Sequence, residues 1–101
     1  MDEKKFYTYL LLTENNTYYC GYTDDIEKRY KKHISGIGAK YTKANKPIKI
    51  AYLEIFKTKS EAMQEEYRIK TLKRQAKENL AKNFELLTPD LYKIAQKISC
   101  V

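Results

Sequence analysis

Several side chains early in the sequence could share one chemical site. In the stretch TYYCGYTDDIEKRYKKH, residues 17–33, Tyr19 and Gly21 fall on one face of a predicted strand. Arg29 and His33 follow on a predicted helix at i, i+4 spacing, so their side chains project together. Phenol hydroxyls, a guanidinium and an imidazole, next to a glycine that leaves room, are components of sites that cleave phosphodiester bonds when a carboxylate joins them.

A carboxylate is available on a second helix, predicted to begin near Thr58. The apolar positions of this helix define one buried face, formed by Ala62, Met63, Ile69, Leu72 and Ala76. Glu65 and Glu66 both fall within about 60° of the centre of that face. A carboxylate facing the interior is costly unless a cation or hydrogen bonds compensate it. One of the two glutamates therefore has a partner, and the periodicity leaves open which one.

A purely structural interpretation competes with the chemical one. It pairs Arg29 with Glu66 in a salt bridge and treats His33 as a core histidine with satisfied hydrogen bonds. Spacing alone modestly favours this interpretation. A glycine that leaves room, two tyrosine hydroxyls, an arginine, a histidine and a half-buried carboxylate occur together, however. This combination favours the chemical interpretation, a site that cleaves phosphodiester bonds.

Three strands are expected to position these residues. Residues 6–12, FYTYLLL, and 18–23, YYCGYT, are rich in strand-forming residues, and the ENNT between them has the composition of a turn. The two segments therefore predict a hairpin, with Tyr9 on the same strand face as Tyr7 and Leu11. A third strand is predicted over residues 48–56, IKIAYLEIF.

Three helical regions complete the prediction. The first is capped by Thr23, Asp24 or Asp25 and runs to about Ile34. The second begins at the capping box of Thr58 and Glu61, reaches about Arg74 and bends into a further run through Lys82. The last covers residues 90–98 and carries one apolar stripe, formed by Leu91, Ile94, Ala95 and Ile98. The order strand, strand, helix, strand, helix, helix predicts a small α/β domain around an antiparallel sheet.

The chain is basic, with a net charge of +7 and a pI near 9.3. This charge favours a polyanionic partner, and nucleic acid is the macromolecular partner that fits best. Residues 35–47 are predicted to form a basic loop in which Lys40, Lys43 and Lys46 grip a nucleic-acid backbone and Tyr41 stacks on a base. The first helix also carries lysines predicted to face solvent and to attract phosphates non-specifically, namely Lys28, Lys31 and Lys32.

Length and composition exclude several classes of protein. The 101 residues suit one domain, and no apolar stretch approaches the length of a membrane span. The start MDEKK is too charged for a signal peptide, so a cytoplasmic location is expected. Cys20 and Cys100 form no recognisable disulfide or metal framework and are expected to be reduced thiols.

An ordered set of short motifs resembles the GIY-YIG nuclease family. Tyr7-Thr8-Tyr9 and Tyr19-Cys20-Gly21 correspond to its two half-motifs, followed by Arg29 and His33. The chain is similar in particular to the small stand-alone bacterial GIY-YIG proteins of the UPF0213 type. Two further segments carry that similarity, Ala39-Lys40-Tyr41-Thr42 and Glu66-Tyr67-Arg68-Ile69-Lys70. The resemblance covers residues 6 to about 82.

The resemblance implies a three-stranded antiparallel sheet flanked by helices, and a nuclease site. It implies Tyr9 and Tyr19 as the tyrosines of the two half-motifs, Arg29 as the catalytic arginine, His33 as a further catalytic residue and Glu66 as the ligand of one Mg²⁺ or another divalent cation such as Mn²⁺. Tyr19 is then the expected proton acceptor for the attacking water, with His33 relaying the proton or orienting Tyr19. The chain departs from the family at Tyr22, where several members carry a lysine close to the phosphate.

Three functional hypotheses follow. The first is a metal-dependent endonuclease that hydrolyses DNA, with structure selectivity in repair or recombination and with RNA as an alternative substrate. The second is a catalytically silent nucleic-acid-binding module on the same fold, and the third is a protein-interaction module that uses the last helix. Residues 1–82 are assigned to the nuclease-like domain, and residues 83–101 to an extension whose short helix packs on that domain.

Overall fold

The computed structural model describes residues 4–100, which form a three-stranded antiparallel sheet with five helices around it. Residues 1–3 and 101 lie outside the described part of the chain. The expectation drawn from the charged start MDEKK therefore falls largely on residues that the structure does not describe. Within residues 4–100, no helix combines the length and the apolar character needed to cross a membrane.

The sheet confirms the predicted hairpin and third strand. Strand β1 spans Phe6–Thr13, β2 spans Tyr18–Thr23 and β3 spans Pro47–Phe56, and the strand order is β2-β1-β3. The hairpin turn contains Asn16 at φ 60°, a left-handed conformation that asparagine tolerates better than most residues. Tyr9 pairs directly with Gly21 across β1 and β2, so these two residues share one face.

The helices begin and end mostly where capping residues predict. Their bounds are α1 Ile26–Ile34, α2 Lys40–Ala44, α3 Lys59–Lys70, α4 Arg74–Leu87 and α5 Pro89–Ser99. Asp25 caps α1 by accepting a hydrogen bond from the Lys28 amide at 3.1 Å, and Gly36 follows its end at φ +84°. Thr58 and Glu61 form the predicted capping box at the start of α3.

Two details of the helical prediction are wrong. Residues 35–47 are not a continuous loop, because they contain the short helix α2. The helix that begins at Thr58 does continue into a second helical run, but α3 ends at Lys70 rather than Arg74 and α4 continues to Leu87 rather than Lys82. The buried face of α3 is also narrower than its helical periodicity predicted. Ala62 and Ile69 are buried, whereas Met63 is 44% exposed.

The core lies between the sheet and the helices that cover it. Its largest fully buried side chains include Tyr9, Leu10, Leu11, Tyr30, His33, Ile50 and Ile69. Hydrogen bonds join α3 to strands β1 and β2 of the sheet. The Thr8 hydroxyl donates to the Ala62 carbonyl at 2.7 Å, and the Cys20 thiol donates to the Glu66 carbonyl at 3.8 Å. The second contact places the Glu66 turn of α3 against the edge strand β2. Both cysteines are free thiols, and burial raises the pKa of Cys20 to about 12.

Helix α5 packs against β3 and so belongs to the same structural unit. The Ile50 amide of β3 donates to the Ser99 hydroxyl at 2.9 Å, and that hydroxyl donates to the Ala95 carbonyl at 2.8 Å. Ala95 is buried, whereas Ile94 of the predicted apolar stripe is 53% exposed. Because α5 covers β3, the hypothesis of a helix free to dock a partner loses its basis. A domain division at residue 82 stays a prediction, and α4 runs through that position without a break.

Candidate active site

The first element of the candidate site is the tyrosine of β1 lying over the glycine of β2. A Cβ atom built on Gly21 would lie 2.5 Å from the Tyr9 hydroxyl oxygen and 2.7 Å from the adjacent ring carbon. These distances are too short for real contacts, and the neighbour is part of a buried ring with little room to move. Glycine at this position therefore lets the Tyr9 ring cross β2 and bring its hydroxyl to the edge of the sheet.

A chain of hydrogen bonds continues from Tyr9 into α1 and α2. The Tyr9 hydroxyl lies 2.9 Å from Nε2 of His33, and Nδ1 of His33 lies 2.7 Å from the Thr42 hydroxyl oxygen. The Thr42 hydroxyl donates to the Ala39 carbonyl at 3.2 Å. Because a hydroxyl has one proton, Thr42 then accepts from Nδ1, which leaves Nε2 as an acceptor for the Tyr9 hydroxyl. Every hydrogen bond from Tyr9 to Ala39 therefore has one assigned donor and one assigned acceptor.

The protonation states at neutral pH follow from burial and from one nearby charge. Burial raises the pKa of Tyr9 well above its usual value, although the Arg29 guanidinium opposes this shift. Burial, with a smaller contribution from the Arg29 charge, lowers the pKa of His33 from 6.5 to about 4. Tyr9 is thus a neutral phenol and His33 a neutral imidazole, as their shared hydrogen bond requires.

The lowered pKa of His33 predicts a pH-dependent stability. Between pH 6.5 and about 4 the unfolded chain binds the proton more readily than the folded one, so acidification favours unfolding. We expect this group's contribution, about 3 kcal/mol at most, to be complete above pH 6.5 and to be lost as the pH falls toward 4.

Urea denaturation of the wild type and of His33→Gln across this pH range measures that contribution. The difference between their free energies of unfolding should shrink on acidification, because only the wild type carries the buried imidazole. A difference that stays constant with pH would contradict the assignment of a neutral buried His33.

The candidate catalytic side chains line one open pocket of about 300 Å³ next to β2. Its walls are formed by Tyr9, Tyr19, Gly21, Tyr22, Thr23, Arg29 and Glu66. Four of the five predicted catalytic residues thus meet in one pocket, and the fifth, His33, lies buried behind Tyr9. The Tyr9 hydroxyl beside Arg29 raises the pKa of the guanidinium, which therefore supplies a permanent positive charge.

The two glutamates of α3 have different surroundings. Glu65 takes two hydrogen bonds from Arg68, at 2.8 and 2.7 Å. It also lies 3.2 Å from the Tyr52 hydroxyl, whose single proton is shared between Glu65 and Glu54, the latter at 3.0 Å. Glu66 lines the pocket and has Lys70 as its ion-pair partner, with 3.4 Å between Nζ and Oε2. Among residues 4–100, no ion pair joins Arg29 and Glu66, so the salt bridge of the structural interpretation does not form.

The pocket suits a cation held by a single protein carboxylate. Within the described residues, no group of three or more histidine, cysteine, aspartate or glutamate side chains could enclose a metal ion. Glu66 is nevertheless a hard oxygen donor that is partly exposed and directed into the pocket. Mg²⁺ commonly binds through one or two carboxylates, several waters and substrate phosphates rather than through a protein cage. The donor set therefore fits a Mg²⁺ that is completed by water and substrate.

Tyr19 contacts the other aromatic rings at the edge of the site. Its ring centroid lies 5.1 Å from that of His33 and 6.0 Å from that of Tyr41, and the Tyr41 ring is inclined by only 25°. Tyr41 is 40% exposed on α2, and the predicted nucleic-acid contacts on this helix and just after it, Lys40, Lys43 and Lys46, are also exposed. The structure thus places all four side chains on the surface and Tyr41 beside Tyr19, while the role in binding stays a prediction.

Two residues that orient His33 were missed. Thr42 fixes the imidazole through Nδ1, and Gly38 packs so closely that a Cβ there would lie 2.7 Å from Nδ1 and 2.8 Å from the His33 amide nitrogen. The segment AKYT contained Thr42, but its sequence alone gives no direction for the hydroxyl. Gly38 precedes that segment in a glycine-containing loop, and its close approach depends on the fold.

Comparisons with known proteins identify the family of this chain. A family profile described as "GIY-YIG catalytic domain" matches residues 5–79. A UPF0213 protein of Bacillus velezensis is 49% identical over 77% of this chain and 79% of its own length. A UPF0213 protein of Halobacterium salinarum is 46% identical over 73% of this chain and 96% of its own. The solution NMR structure of a UPF0213 protein from Bacillus halodurans matches with a TM-score of 0.51 and 42% identity, covering 77% of this chain and 83% of that one. The chain therefore belongs to the GIY-YIG nuclease superfamily, among proteins of the UPF0213 group.

Proposed function

We propose that this protein is a metal-dependent endonuclease that hydrolyses phosphodiester bonds of DNA. The observation that supports this proposal is the single pocket lined by Tyr9, Tyr19, Arg29 and Glu66, with His33 hydrogen-bonded behind Tyr9. The pocket offers a proton acceptor, a fixed cation and a carboxylate within one open cavity. These are the three functions that hydrolysis of a phosphodiester needs.

Tyr9 is the better candidate for the proton acceptor in this reaction. The sequence indicated Tyr19, but the hydroxyl that reaches a buried neutral imidazole is that of Tyr9. As the water oxygen attacks phosphorus, its proton moves to the Tyr9 oxygen while the Tyr9 proton moves to Nε2 of His33. The coupled transfer avoids a free phenolate, which burial of Tyr9 makes costly. The bond from phosphorus to the leaving oxygen breaks, and that oxygen takes a proton from solvent.

Arg29 and Glu66 have separate tasks in this mechanism. The Arg29 guanidinium binds and stabilises the phosphoryl oxygens as negative charge builds on them. Glu66 holds the divalent cation, Mg²⁺ or Mn²⁺, which when bound supplies further stabilisation of that charge. Negative charge from the substrate in the pocket also offsets the effect of Arg29 on His33, and so makes protonation of the imidazole easier during the reaction.

The surface around the pocket suits a nucleic-acid substrate. The net charge is +7, and exposed lysines lie on α2 and just after it, next to Tyr41. A small catalytic pocket has few groups that could read base edges, so selectivity is expected to come from nucleic-acid shape. Structure-selective cleavage in DNA repair or recombination is part of this proposal, with RNA as the alternative substrate.

The test is a cleavage assay with purified protein on branched, flapped and linear DNA. We expect nicking of at least one substrate in Mg²⁺ and complete loss of nicking when a chelator is added. Tyr9→Phe should lower the rate more than Tyr19→Phe, because among the described residues that line the pocket it is the Tyr9 hydroxyl that is hydrogen-bonded to His33. Binding without nicking of any substrate would contradict the proposed hydrolysis.

A catalytically silent nucleic-acid-binding module is the second candidate. The observation that favours it is the phenol of Tyr22, which lines the pocket where several family members carry a lysine. Without a lysine at that position, the attraction between the pocket and a phosphate is weaker. Among the described residues that line the pocket, Arg29 is then the one with a positive charge. In the assay above, this candidate predicts a mobility shift of the DNA without a cleavage product.

A further inference from the structure

A second groove lies directly beside the candidate active pocket. It has a volume of about 250 Å³ and is lined by Thr23, Asp24, Asp25, Lys28, Arg29 and Lys32. Thr23 and Arg29 line both cavities, so the groove and the pocket meet at the guanidinium. A polymer whose phosphate is bound by Arg29 would therefore have its neighbouring phosphate next to this groove.

The charges of the groove favour an anion despite its two aspartates. Asp24 forms an ion pair with Lys4 at 3.1 Å. The Asp25 carboxylate accepts the hydrogen bond from the Lys28 amide that caps α1. Both carboxylates thus have partners of their own, whereas neither Lys28 nor Lys32 takes part in an ion pair among residues 4–100. Their ammonium groups remain free to bind a ligand in the groove.

The lysines of α1 fall into two sets, which the sequence did not distinguish. Lys28 and Lys32 are at i, i+4 spacing, lie on the same side of the helix and line the groove. Lys31 belongs to the same helix and is equally exposed, but it does not line the groove. Helix α1 therefore presents two lysines next to Arg29 and one lysine directed elsewhere.

We propose that Lys28 and Lys32 bind the phosphodiester adjacent to the one at Arg29, so that the substrate strand leaves the pocket along α1. This subsite rests on the proposed function, because it takes Arg29 as the residue that binds the scissile phosphate. It adds to the binding loop predicted from Lys40, Tyr41, Lys43 and Lys46. It also gives Lys28 and Lys32 a defined phosphate, where the sequence predicted only non-specific attraction by the lysines of α1. Lysine binds phosphate as a point charge, so the subsite holds backbone of any sequence.

The test measures binding without cleavage. Fluorescence anisotropy of a labelled DNA hairpin with a single-stranded tail, recorded in chelator over a series of salt concentrations, gives the Kd and its salt dependence. Lys28→Gln/Lys32→Gln should weaken binding about tenfold and reduce the slope of log K against log salt by about 1.5, because two phosphate contacts are lost.

A matched control removes the same charge elsewhere. Lys31→Gln/Lys93→Gln deletes one lysine from α1 and one from α5, which packs on the opposite edge strand, and should change Kd by less than about twofold. Equal losses in the two double variants, or no binding by the wild type, would overturn the subsite. Groove-dependent binding without cleavage in Mg²⁺ would refute the proposed hydrolysis and leave the subsite intact. Cleavage in Mg²⁺ together with equal losses of affinity in the two double variants would support the proposed hydrolysis and refute the subsite.

Discussion

Replacing Arg29 with alanine is expected to reduce the single-turnover rate of DNA cleavage roughly a thousandfold. The guanidinium is the permanent cation that lines the pocket beside the Tyr9 hydroxyl, and no neighbouring pocket residue can replace its charge. Its loss removes stabilisation from the transition state more than from the bound substrate, so the rate constant should fall more than the affinity. Quenched-flow or manual time courses at saturating enzyme measure this directly.

Arg68 provides the matched control for Arg29. Arg68 lies on α3, outside the pocket, and pairs with Glu65. Arg68→Ala removes the same charge from the chain and should leave the cleavage rate within a few-fold of the wild type. Far-UV circular dichroism should show that both variants are folded. An Arg29→Ala protein that cleaves within tenfold of the wild type would exclude the catalytic role proposed for this residue.

The second large effect is expected from Glu66→Gln. This change keeps the shape of the side chain and removes the charge that would hold the divalent cation. Loss of a stabilisation of several kcal/mol corresponds to a rate reduced by about a thousandfold. The Mg²⁺ concentration that gives half-maximal stabilisation in a thermal-shift experiment should also increase, which tests metal binding independently of cleavage.

Glu65 provides the matched control for Glu66. Glu65→Gln alters the same helix one residue earlier, but Glu65 is bound by Arg68 and Tyr52 and does not line the pocket. It should lower stability by about 1 kcal/mol and leave the response to Mg²⁺ unchanged. The metal assignment would be wrong if Glu65→Gln lost metal-dependent activity and Glu66→Gln kept it.

Most of the framework could be predicted because local signals and tertiary packing agree. The two hairpin strands, the third strand and α1 have alternating or amphipathic patterns bounded by turn and capping residues, and the structure confirms them. Helix α2 was missed because five residues give no measurable periodicity, and no side chain caps it. Met63 was misplaced because it lies about 100° from Ala62 around the helix, at the margin of the apolar face, where its side chain remains 44% exposed.

The candidate site was less predictable than the fold because its contacts join distant parts of the chain. Spacing could place Arg29 and His33 on one helix face, but it could not indicate that His33 forms its hydrogen bond with Tyr9 rather than with Tyr19. Periodicity left Glu65 and Glu66 equivalent, and the family resemblance selected Glu66. In the structure the packing of α3 against β2 separates them, since Glu66 lines the pocket and Glu65 does not. Lys28 and Lys32 were likewise indistinguishable from Lys31, because helical periodicity does not show which residues line a groove formed with a neighbouring segment.

In the proposed mechanism, the hydrogen-bond chain behind the pocket also limits how the site would recover after each turnover. The chain ends at the Ala39 backbone carbonyl, which does not take up a proton, and His33 has no exposed surface. With Tyr9 as the acceptor, the proton stored on the imidazole has no exit on the far side and must return by the route it entered. Regeneration of the resting enzyme is therefore tied to the departure of product from above Tyr9, which opens that route to solvent.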